Sequence, residues 1–173
     1  MQGEGISAIL ERLYDDHAQA LFSFLLNLTR DEGDTRDLLQ EIFCKLARNA
    51  QLLNGMREPR AFLLRLAHNQ AIDLFRRRQT TQKTRDRFEE EQGTLFAPSP
   101  DPDETILRGR MAAALGELPS DQRAVVHLKL WEGMTFEAIA ALLEIPANTA
   151  ASRYRYGLDK MRERLRPLYE EMT

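Results

Sequence analysis

The sequence is poor in cysteine and has no long apolar run. Cys44 is the single cysteine among 173 residues, which excludes an internal disulfide and is typical of a reducing cytosol. No run approaches the roughly 18 apolar residues that a membrane span requires. The first residues lack the basic start and apolar stretch of a secretory signal. We therefore expect a cytoplasmic protein without a membrane span.

The sequence also lacks the motifs of the common enzyme classes. Its three histidines, His17, His68 and His127, are far apart and have no accompanying set of cysteines. There is no phosphate-binding glycine loop and no nucleophile elbow. Asp15, Asp16 and His17 are adjacent, and adjacent residues on a helix point in different directions. We predict no enzymatic activity, no metal site and no cofactor.

The chain lacks a large net charge, but residues of opposite charge are strongly segregated along it. The net charge is −3, yet residues 1–41 and 89–104 are acidic whereas residues 42–87 and 153–166 are basic. Phosphate binding responds to local potential, so the basic blocks are compatible with a nucleic-acid partner. Scattered solvated charge is the alternative interpretation of the same composition.

Apolar spacing predicts an all-α protein. No segment of useful length alternates apolar and polar residues as a half-buried strand would, whereas helix-period stripes are frequent. In the first half these stripes predict a long helix ending near residues 30–33, a second helix over about 34–49, and a third starting after Pro59.

Residues 79–103 interrupt the helical pattern. They include three consecutive acids at 89–91 and the alternating Pro98, Pro100 and Pro102. Prolines lack a backbone donor and resist helix, so we predict a flexible acidic linker here. It divides the chain into two small helical domains, at residues 8–78 and 104–173.

The second half carries punctuation typical of short helices. We predict a helix over 104–117, followed by a helix over 121–132 with Ser120 as its N-cap and Gly133 as a left-handed residue after its end. Thr135 is the predicted cap of a short helix over 136–143. A longer helix is predicted to begin near Pro146 and to end at Pro167.

Residues 135–157 have the pattern of a helix-turn-helix. The small side chain of Ala140 allows its two helices to approach closely, and Ala150, Tyr154, Leu158, Met161 and Leu165 recur at the spacing of an inward face. The opposite strip, with Asn148, Ser152, Arg155 and Arg162, offers amide and hydroxyl groups for base edges and cations for phosphates. An ordinary helical hairpin with a charged outer face is the alternative.

Separate segments resemble bacterial sigma factors. Residues 118–126 (Leu-Pro-Ser-Asp-Gln-Arg-Ala-Val-Val) followed by 131–140 resemble region 4 of that family. Residues 34–43 (Asp-Thr-Arg-Asp-Leu-Leu-Gln-Glu-Ile-Phe) resemble its core-polymerase-binding helix, and residues 60–78 resemble its promoter-opening helix. With only a linker between them, the two halves resemble the compact extracytoplasmic-function group.

The resemblance implies a bacterial protein that binds core RNA polymerase and directs promoter-specific transcription initiation. The residues implied for polymerase binding are Asp34, Asp37, Leu38, Gln40, Glu41 and Phe43, of which Leu38 and Phe43 are alternatively core residues. Those implied for the minus-ten element are Asn69, Asp73 and the phosphate clamp Arg76, Arg77 and Arg78, with loop 49–59 as the pocket for a flipped base. Those implied for the minus-thirty-five element are Asn148, Thr149, Ser152, Arg153 and Arg155.

The resemblance also implies an anti-sigma partner, and we expect a monomer when the protein is free. Two alternatives remain: a sigma-like protein that titrates an anti-sigma regulator, and a stand-alone helix-turn-helix regulator. The acids of the linker either imitate nucleic acid in a polymerase channel or belong to a soluble tether.

Three residues depart from the family pattern, namely Glu144 in the turn and Ala151 and Tyr156 in the second helix. Relatives often have glycine at the first position, so we expect the backbone there to differ slightly. The other two positions often carry Lys and Arg in relatives, which leaves the promoter preference open. We hypothesise that Arg153 and Arg155 carry most of the remaining cationic contact with DNA.

Overall fold

Helices account for almost all of residues 5–82 and 101–172, the two ranges that the computed structural model describes. No strand occurs within these ranges, which confirms the predicted all-α class. The chain divides into a first unit, residues 1–92, and a second unit, residues 93–173. The helices are α1 (Ile6–Thr29), α2 (Glu32–Arg48), α3 (Pro59–Gln82), α4 (Pro102–Gly116), α5 (Ser120–Leu130), α6 (Phe136–Leu143) and α7 (Ala147–Met172), with a 3-10 turn at Ala50–Leu53.

The first unit packs α1, α2 and α3 around one apolar core. The helix-period stripes of the sequence supply this core, since residues three and four apart share one face of a helix. Its fully buried side chains include Leu21, Phe24 and Leu25 of α1, Ile42 and Leu46 of α2, and Leu63, Leu64, Ala67 and Ala71 of α3.

A polar turn joins α1 to α2. Arg30 ends α1 in the left-handed conformation, with φ 60°. Asp31 then caps α2, because its Oδ1 accepts a hydrogen bond from the Asp34 backbone N–H at 2.7 Å. The hydroxyls of Thr29 and Thr35 lie 2.8 Å apart, and Thr35 donates to the Asp31 carbonyl at 2.7 Å. These bonds fix the point at which α2 begins.

The predicted linker was too long at both ends. Helix α3 continues through residues 79–82, because the Thr80 and Thr81 hydroxyls donate to backbone carbonyls one turn earlier and so accommodate polar residues in the helix. Pro102 begins α4 instead of excluding helix, since a proline in the first turn has a fixed φ that suits helix and no donor to lose. The acids at 89–91, Pro98 and Pro100, on which the linker prediction rests, lie outside the described residues.

The second unit packs α4 to α7 around a smaller core. Ala114, Leu115 and Leu118 from the α4–α5 region meet Val126 of α5 and Met161 of α7, and Trp131, Tyr154 and Leu165 pack against them. The inward face predicted for the long last helix is therefore confirmed at Met161, Tyr154 and Leu165. Ala150 of the same face is also fully buried.

The predicted roles of Ser120 and Pro167 at helix ends were wrong. Pro119, not Ser120, is the N-cap residue of α5, because its extended ψ of 146° places Ser120 as the first helical residue. Pro167 lies inside α7 rather than closing it. The proline removes one donor from the helix, and the turn concerned is exposed, so solvent reaches the carbonyl that loses its partner.

The predicted roles of Gly133 and Thr135 are confirmed. Gly133 adopts a left-handed φ of 63° after α5. The Thr135 hydroxyl accepts a hydrogen bond from the Ala138 backbone N–H at 3.1 Å and caps α6. These local signals place the helix-turn-helix where the sequence predicted it, over α6 and the start of α7.

Candidate nucleic-acid interface

Helix α2 turns polar side chains outwards in the first unit. Asp37, Gln40 and Glu41 are exposed. Leu38 is 3% exposed and belongs to the core, which is the alternative that the sequence left open for it. The exposed part of α2 is thus polar rather than apolar, with acids at Asp37 and Glu41 and cations at Arg36, Lys45 and Arg48.

An aromatic pair lies on the α1 side of α2. Phe43 is half-buried and meets Tyr14 of α1 edge to face, with ring centroids 5.1 Å apart. Tyr14 is itself 50% exposed and was absent from the predicted binding residues. The sequence signal was ambiguous, because Tyr14 also fits the apolar stripe of α1. The pair extends the exposed surface of α2 onto α1.

The outer face of α3 carries polar and cationic side chains. Asn69, Asp73 and Arg76 are exposed, and so is Arg65, which the predicted set omitted. Their spacings of four, four and three residues put them on one face of the helix. The same spacing rule, applied to the whole helix, would have identified Arg65. Arg77 is exposed as well, and its Nε donates to the Asp73 carbonyl at 3.4 Å.

Arg78 differs from the two arginines before it. Its Nη1 lies 2.6 Å from Asp34 Oδ2, and its Nη2 donates to Asp34 Oδ1 at 2.7 Å. Asp34 and Arg78 were predicted to contact polymerase and DNA phosphate respectively. Within the free chain they contact each other instead.

The loop between α2 and α3 is short and mixes polar residues with the apolar Leu52, Leu53 and Met56. It begins with the 3-10 turn Ala50–Leu53 and includes Gly55 at φ 74°. The Asn49 side-chain amide donates to the Lys45 carbonyl at 3.1 Å and so closes the end of α2. The role of this loop as a pocket for a flipped base stays a prediction.

The first turns of α7 present the predicted base-reading strip of the second unit. Asn148 and Arg155 are exposed, whereas Thr149 and Ser152 are half-buried. The Arg155 guanidinium lies 5.3 Å from the centroid of the Tyr156 ring, and that ring is 54% exposed. A cation held over an aromatic face keeps its charge while losing some rotamer freedom. Tyr156 therefore orients Arg155 at the surface.

Two other arginines of α7 are directed towards the preceding helices. Arg153 Nε lies 3.3 Å from Asp121 Oδ2 at the start of α5. Arg164 forms an ion pair with Glu117, which follows α4. Arg153 was predicted to bind DNA, and in the free chain its charge is partly neutralised by Asp121. These ion pairs hold α7 against α4 and α5 on both sides of Gly157.

Gly157 marks the closest approach of α7 to α5. A Cβ at this position would lie 2.7 Å from Val126 Cγ2 and 3.5 Å from Leu118 Cδ1. Any side chain larger than hydrogen would therefore push the two helices apart. The glycine sets the distance at which α7 packs against α5.

The turn between α6 and α7 contains a strained residue. Glu144 adopts the left-handed conformation at φ 57°, and its backbone N–H bonds to the Ala140 carbonyl. The Ile145 N–H donates to the same carbonyl at 3.0 Å. A glutamate thus holds the conformation that glycine adopts without steric cost. The turn keeps a glycine-type backbone at the expense of local strain.

The corner between α5 and α6 is held by Lys129. Its Nζ donates to the Met134 carbonyl at 3.1 Å and lies 4.6 Å from the centroid of the Phe136 ring. Phe136 in turn packs edge to face against Tyr154 of α7, with ring centroids 5.5 Å apart. These contacts couple the orientation of α6 to that of α7.

His127 is a core residue of the second unit. It is 3% exposed and stacks on Trp131, with ring centroids 5.3 Å apart and planes 20° apart. Burial lowers the pKa of His127 from 6.5 to about 4, because the charged imidazolium would lose its hydration. The imidazole is therefore neutral at pH 7 and serves packing rather than proton transfer.

Neither a metal centre nor a membrane segment is found among the described residues. No group of three or more His, Cys, Asp or Glu side chains is placed to hold a metal ion. None of the helices in these ranges is long and apolar enough to cross a membrane.

Two family descriptions match the chain in the order of its two units. Sigma-70 region 2 matches residues 13–81, and sigma-70 region 4 matches residues 108–161. The first match spans most of α1 to α3, and the second runs from α4 through the first half of α7. The exposed faces described above on α2, α3 and the start of α7 fall inside these matches.

Whole-chain relatives are sigma factors. The chain is 31% identical to the RNA polymerase sigma factor CarQ of Myxococcus xanthus, covering 98% of this chain and 97% of that protein. It is 30% identical to the ECF RNA polymerase sigma factor SigL of Mycobacterium tuberculosis, covering 94% and 92%. It is 29% identical to the ECF RNA polymerase sigma factor SigX of Bacillus subtilis, covering 92% and 85%.

The fold is shared with solved structures. The sigma factor RpoE, in complex with the anti-sigma factor NepR from Bartonella quintana, superposes with a TM-score of 0.69 at 20% identity, covering 93% of this chain and 94% of that chain. CnrH, in complex with the cytosolic domain of CnrY, superposes with a TM-score of 0.64 at 22% identity, covering 91% and 88%. The matched regions and the whole-chain relatives together establish that this chain belongs to the sigma-70 family of RNA polymerase sigma factors, in its extracytoplasmic-function group.

Proposed function

We propose that the chain binds core RNA polymerase and directs promoter-specific transcription initiation. The observation that carries the proposal is the occurrence of three features in one chain: an α2 with Asp37, Gln40 and Glu41 exposed, an α3 with an exposed polar and cationic face, and a helix-turn-helix with an exposed α7. A protein that bound duplex DNA alone would need only the last of these features. A polymerase-bound subunit needs all three.

In this proposal each face has its own partner. Asp37, Gln40 and Glu41 of α2 bind a basic helical surface of the polymerase, because exposed carboxylates and amides complement cations. Phe43 and Tyr14 add aromatic contact area beside them.

The outer face of α3 binds the minus-ten element. Asn69 and Asp73 offer hydrogen-bonding groups to separated bases, while Arg65, Arg76 and Arg77 bind backbone phosphates. Opening the duplex exposes bases that such groups then hold, which offsets the cost of unpairing.

The start of α7 binds the minus-thirty-five element in the major groove. Asn148 is placed to read a base edge, with Thr149 and Ser152 beside it, and Arg155 to bind a phosphate or a guanine. Arg153 contacts DNA in this proposal only as far as its ion pair with Asp121 allows.

Run-off transcription tests the proposal directly. Core polymerase alone, this chain alone, and the two together are each given a pool of genomic fragments from the source bacterium. We expect discrete transcripts only when both are present. Promoter-specific binding by the chain alone would support the stand-alone regulator. Failure of the chain to bind core polymerase, combined with tight binding to an anti-sigma factor, would support the titrating protein.

An anti-sigma partner, a cytoplasmic location and the absence of enzymatic activity belong to the same proposal. The sigma factor RpoE, which shares this fold, was solved with the anti-sigma factor NepR bound. A pull-down that uses the complete chain as bait would identify such a partner here. The domain limits at 8–78 and 104–173 are likewise proposed, and limited proteolysis would test them.

A further inference from the structure

A double contact joins two residues that are far apart in the sequence, at opposite ends of α2 and α3. The carboxylate of Asp34 at the start of α2 contacts the guanidinium of Arg78 near the end of α3 through two oxygen–nitrogen pairs, at 2.6 and 2.7 Å. The Nη2–Oδ1 contact is a charge-assisted hydrogen bond, whereas the Nη1–Oδ2 approach is an ion pair without hydrogen-bond geometry. The Asp34 side chain is only 18% exposed and that of Arg78 is 46% exposed, so solvent screens the pair incompletely.

The position of each residue of this pair on its helix is defined by neighbouring contacts. The Asp34 backbone N–H donates to the capping Asp31 side chain at 2.7 Å, which fixes the backbone conformation of the first turn of α2. On α3, Arg78 follows the buried Ala67 and Ala71 at spacings of eleven and seven residues, which places it on the core-facing side of the helix. Arg76 lies on the opposite side.

We propose that Asp34 and Arg78 are positioning residues that lock the end of α3 to the start of α2. Neither touches polymerase or DNA; the pair keeps the outer face of α3 in a fixed register with the exposed face of α2. Docking of α2 on polymerase then also fixes the helix that holds the opened promoter. This inference rests on the proposed function and reassigns two residues within it.

A double-mutant cycle on the complete chain distinguishes a lock from two independent contacts. The variants are Asp34→Asn, Arg78→Gln and the double variant, each assayed with core polymerase for affinity and for the rate of open-complex formation. We expect each single change to slow open-complex formation by about two- to tenfold, in the lower part of the range for residues of one ion pair. The double variant should be no slower than either single one, and affinity for core polymerase should stay within about twofold.

Matched controls come from the same two helices. Asp37→Asn and Arg76→Gln make the same chemical changes at exposed positions, and no ion pair joins these two residues among the described side chains. We expect the first to weaken core binding and the second to weaken promoter binding. Their effects should multiply in the double variant, since the two contacts are independent.

The lock is overturned if Asp34→Asn weakens core binding as Asp37→Asn does and its effect multiplies with that of Arg78→Gln. A second measurement needs no polymerase. Circular dichroism monitors the urea unfolding of the free chain for the unmodified protein, the two single variants and the double variant of the Asp34–Arg78 cycle. Non-additive shifts of the unfolding midpoint support the lock, and additive shifts overturn it. If the unmodified chain fails to initiate transcription, the proposed function fails while this second cycle still decides the pair.

Discussion

Replacing Gly157 by alanine adds one methyl group where α7 lies closest to α5. The new Cβ would stand 2.7 Å from Val126 Cγ2, whereas ordinary contact begins at 3.4 Å, so the two atoms must separate by 0.7 Å or more. Val126 is fully buried and β-branched, and its side chain has no cheap alternative rotamer. The helices themselves must therefore move.

The expected free-energy change is the difference between two opposing effects. Overpacking of a well-packed core costs about 1–3 kcal/mol. Alanine is better than glycine in a helix interior by about 1 kcal/mol. We therefore expect Gly157→Ala to lower the free energy of unfolding of the second unit by about 1 kcal/mol, or by about 2 kcal/mol if the helices resist separation.

Gly109 provides the matched control in the same unit. It lies inside α4, and a Cβ there would meet no atom within 4 Å. Gly109→Ala makes the same chemical change without the collision, so we expect it to raise the free energy of unfolding by up to about 1 kcal/mol. The difference between the two variants isolates the cost of overpacking.

Trp131 makes the measurement specific to the second unit. It is the single tryptophan of the chain, and it packs against the core formed by Val126, Met161 and their neighbours. Its fluorescence during urea unfolding reports this unit without a contribution from α1 to α3, which avoids treating two units as one transition. If Gly157→Ala stabilises the unit as much as Gly109→Ala does, the close approach of α7 to α5 is wrong. A Val126→Ala change, which removes the colliding methyl, should also reduce the cost of Gly157→Ala.

The remaining predictions concern the same unit. Because burial lowers the pKa of His127 to about 4 from 6.5, the unfolded chain binds more protons between these values, and stability should fall as the pH drops through this window, by on the order of 3 kcal/mol in total. His127→Phe should remove that part of the pH dependence, and an unchanged pH profile would contradict the assignment. Glu144→Gly should raise the unfolding midpoint, since it relieves the left-handed strain at φ 57°, whereas Glu144→Ala should not. Arg155→Ala should weaken promoter binding and reduce the slope of log K against log salt by about 1. Arg162→Ala is the control, because the Arg162 guanidinium lies 3.5 Å from Asp159 within α7. Full promoter affinity of Arg155→Ala at every salt concentration would contradict the proposed contact of Arg155 with DNA.

The features that the sequence predicted well are those with short-range causes. Thr135 caps α6 because its hydroxyl reaches an amide only three residues away, and Gly133 takes a left-handed φ that suits glycine. Apolar spacing placed the buried faces of the helices for the same reason. The two errors at Pro119 and Pro167 also have a local character, since a proline is compatible with more than one position in or beside a helix.

The features that the sequence did not reveal depend on contacts between helices. The Asp34–Arg78 pair joins residues separated by 44 positions, and no periodicity connects them. The sequence pattern did not distinguish Gly157 from other small residues, and its role depends on its distance to Val126. Arg65 is the exception, because its place on the outer face of α3 follows from spacing alone.

The cations of α7 illustrate why counting charges overstates a DNA interface. The helix has six basic residues, and at least three of them are engaged within the second unit: Arg153 with Asp121, Arg162 with Asp159, and Arg164 with Glu117. An arginine that anchors its helix releases no counterion from DNA unless its ion pair breaks first. The contribution of α7 to the salt dependence of DNA binding should therefore correspond to about three phosphate contacts or fewer, rather than to six. Arg153 and Arg164 instead connect α7 to the preceding helices, and the proposed contact of Asn148 and Arg155 with the groove depends on that placement.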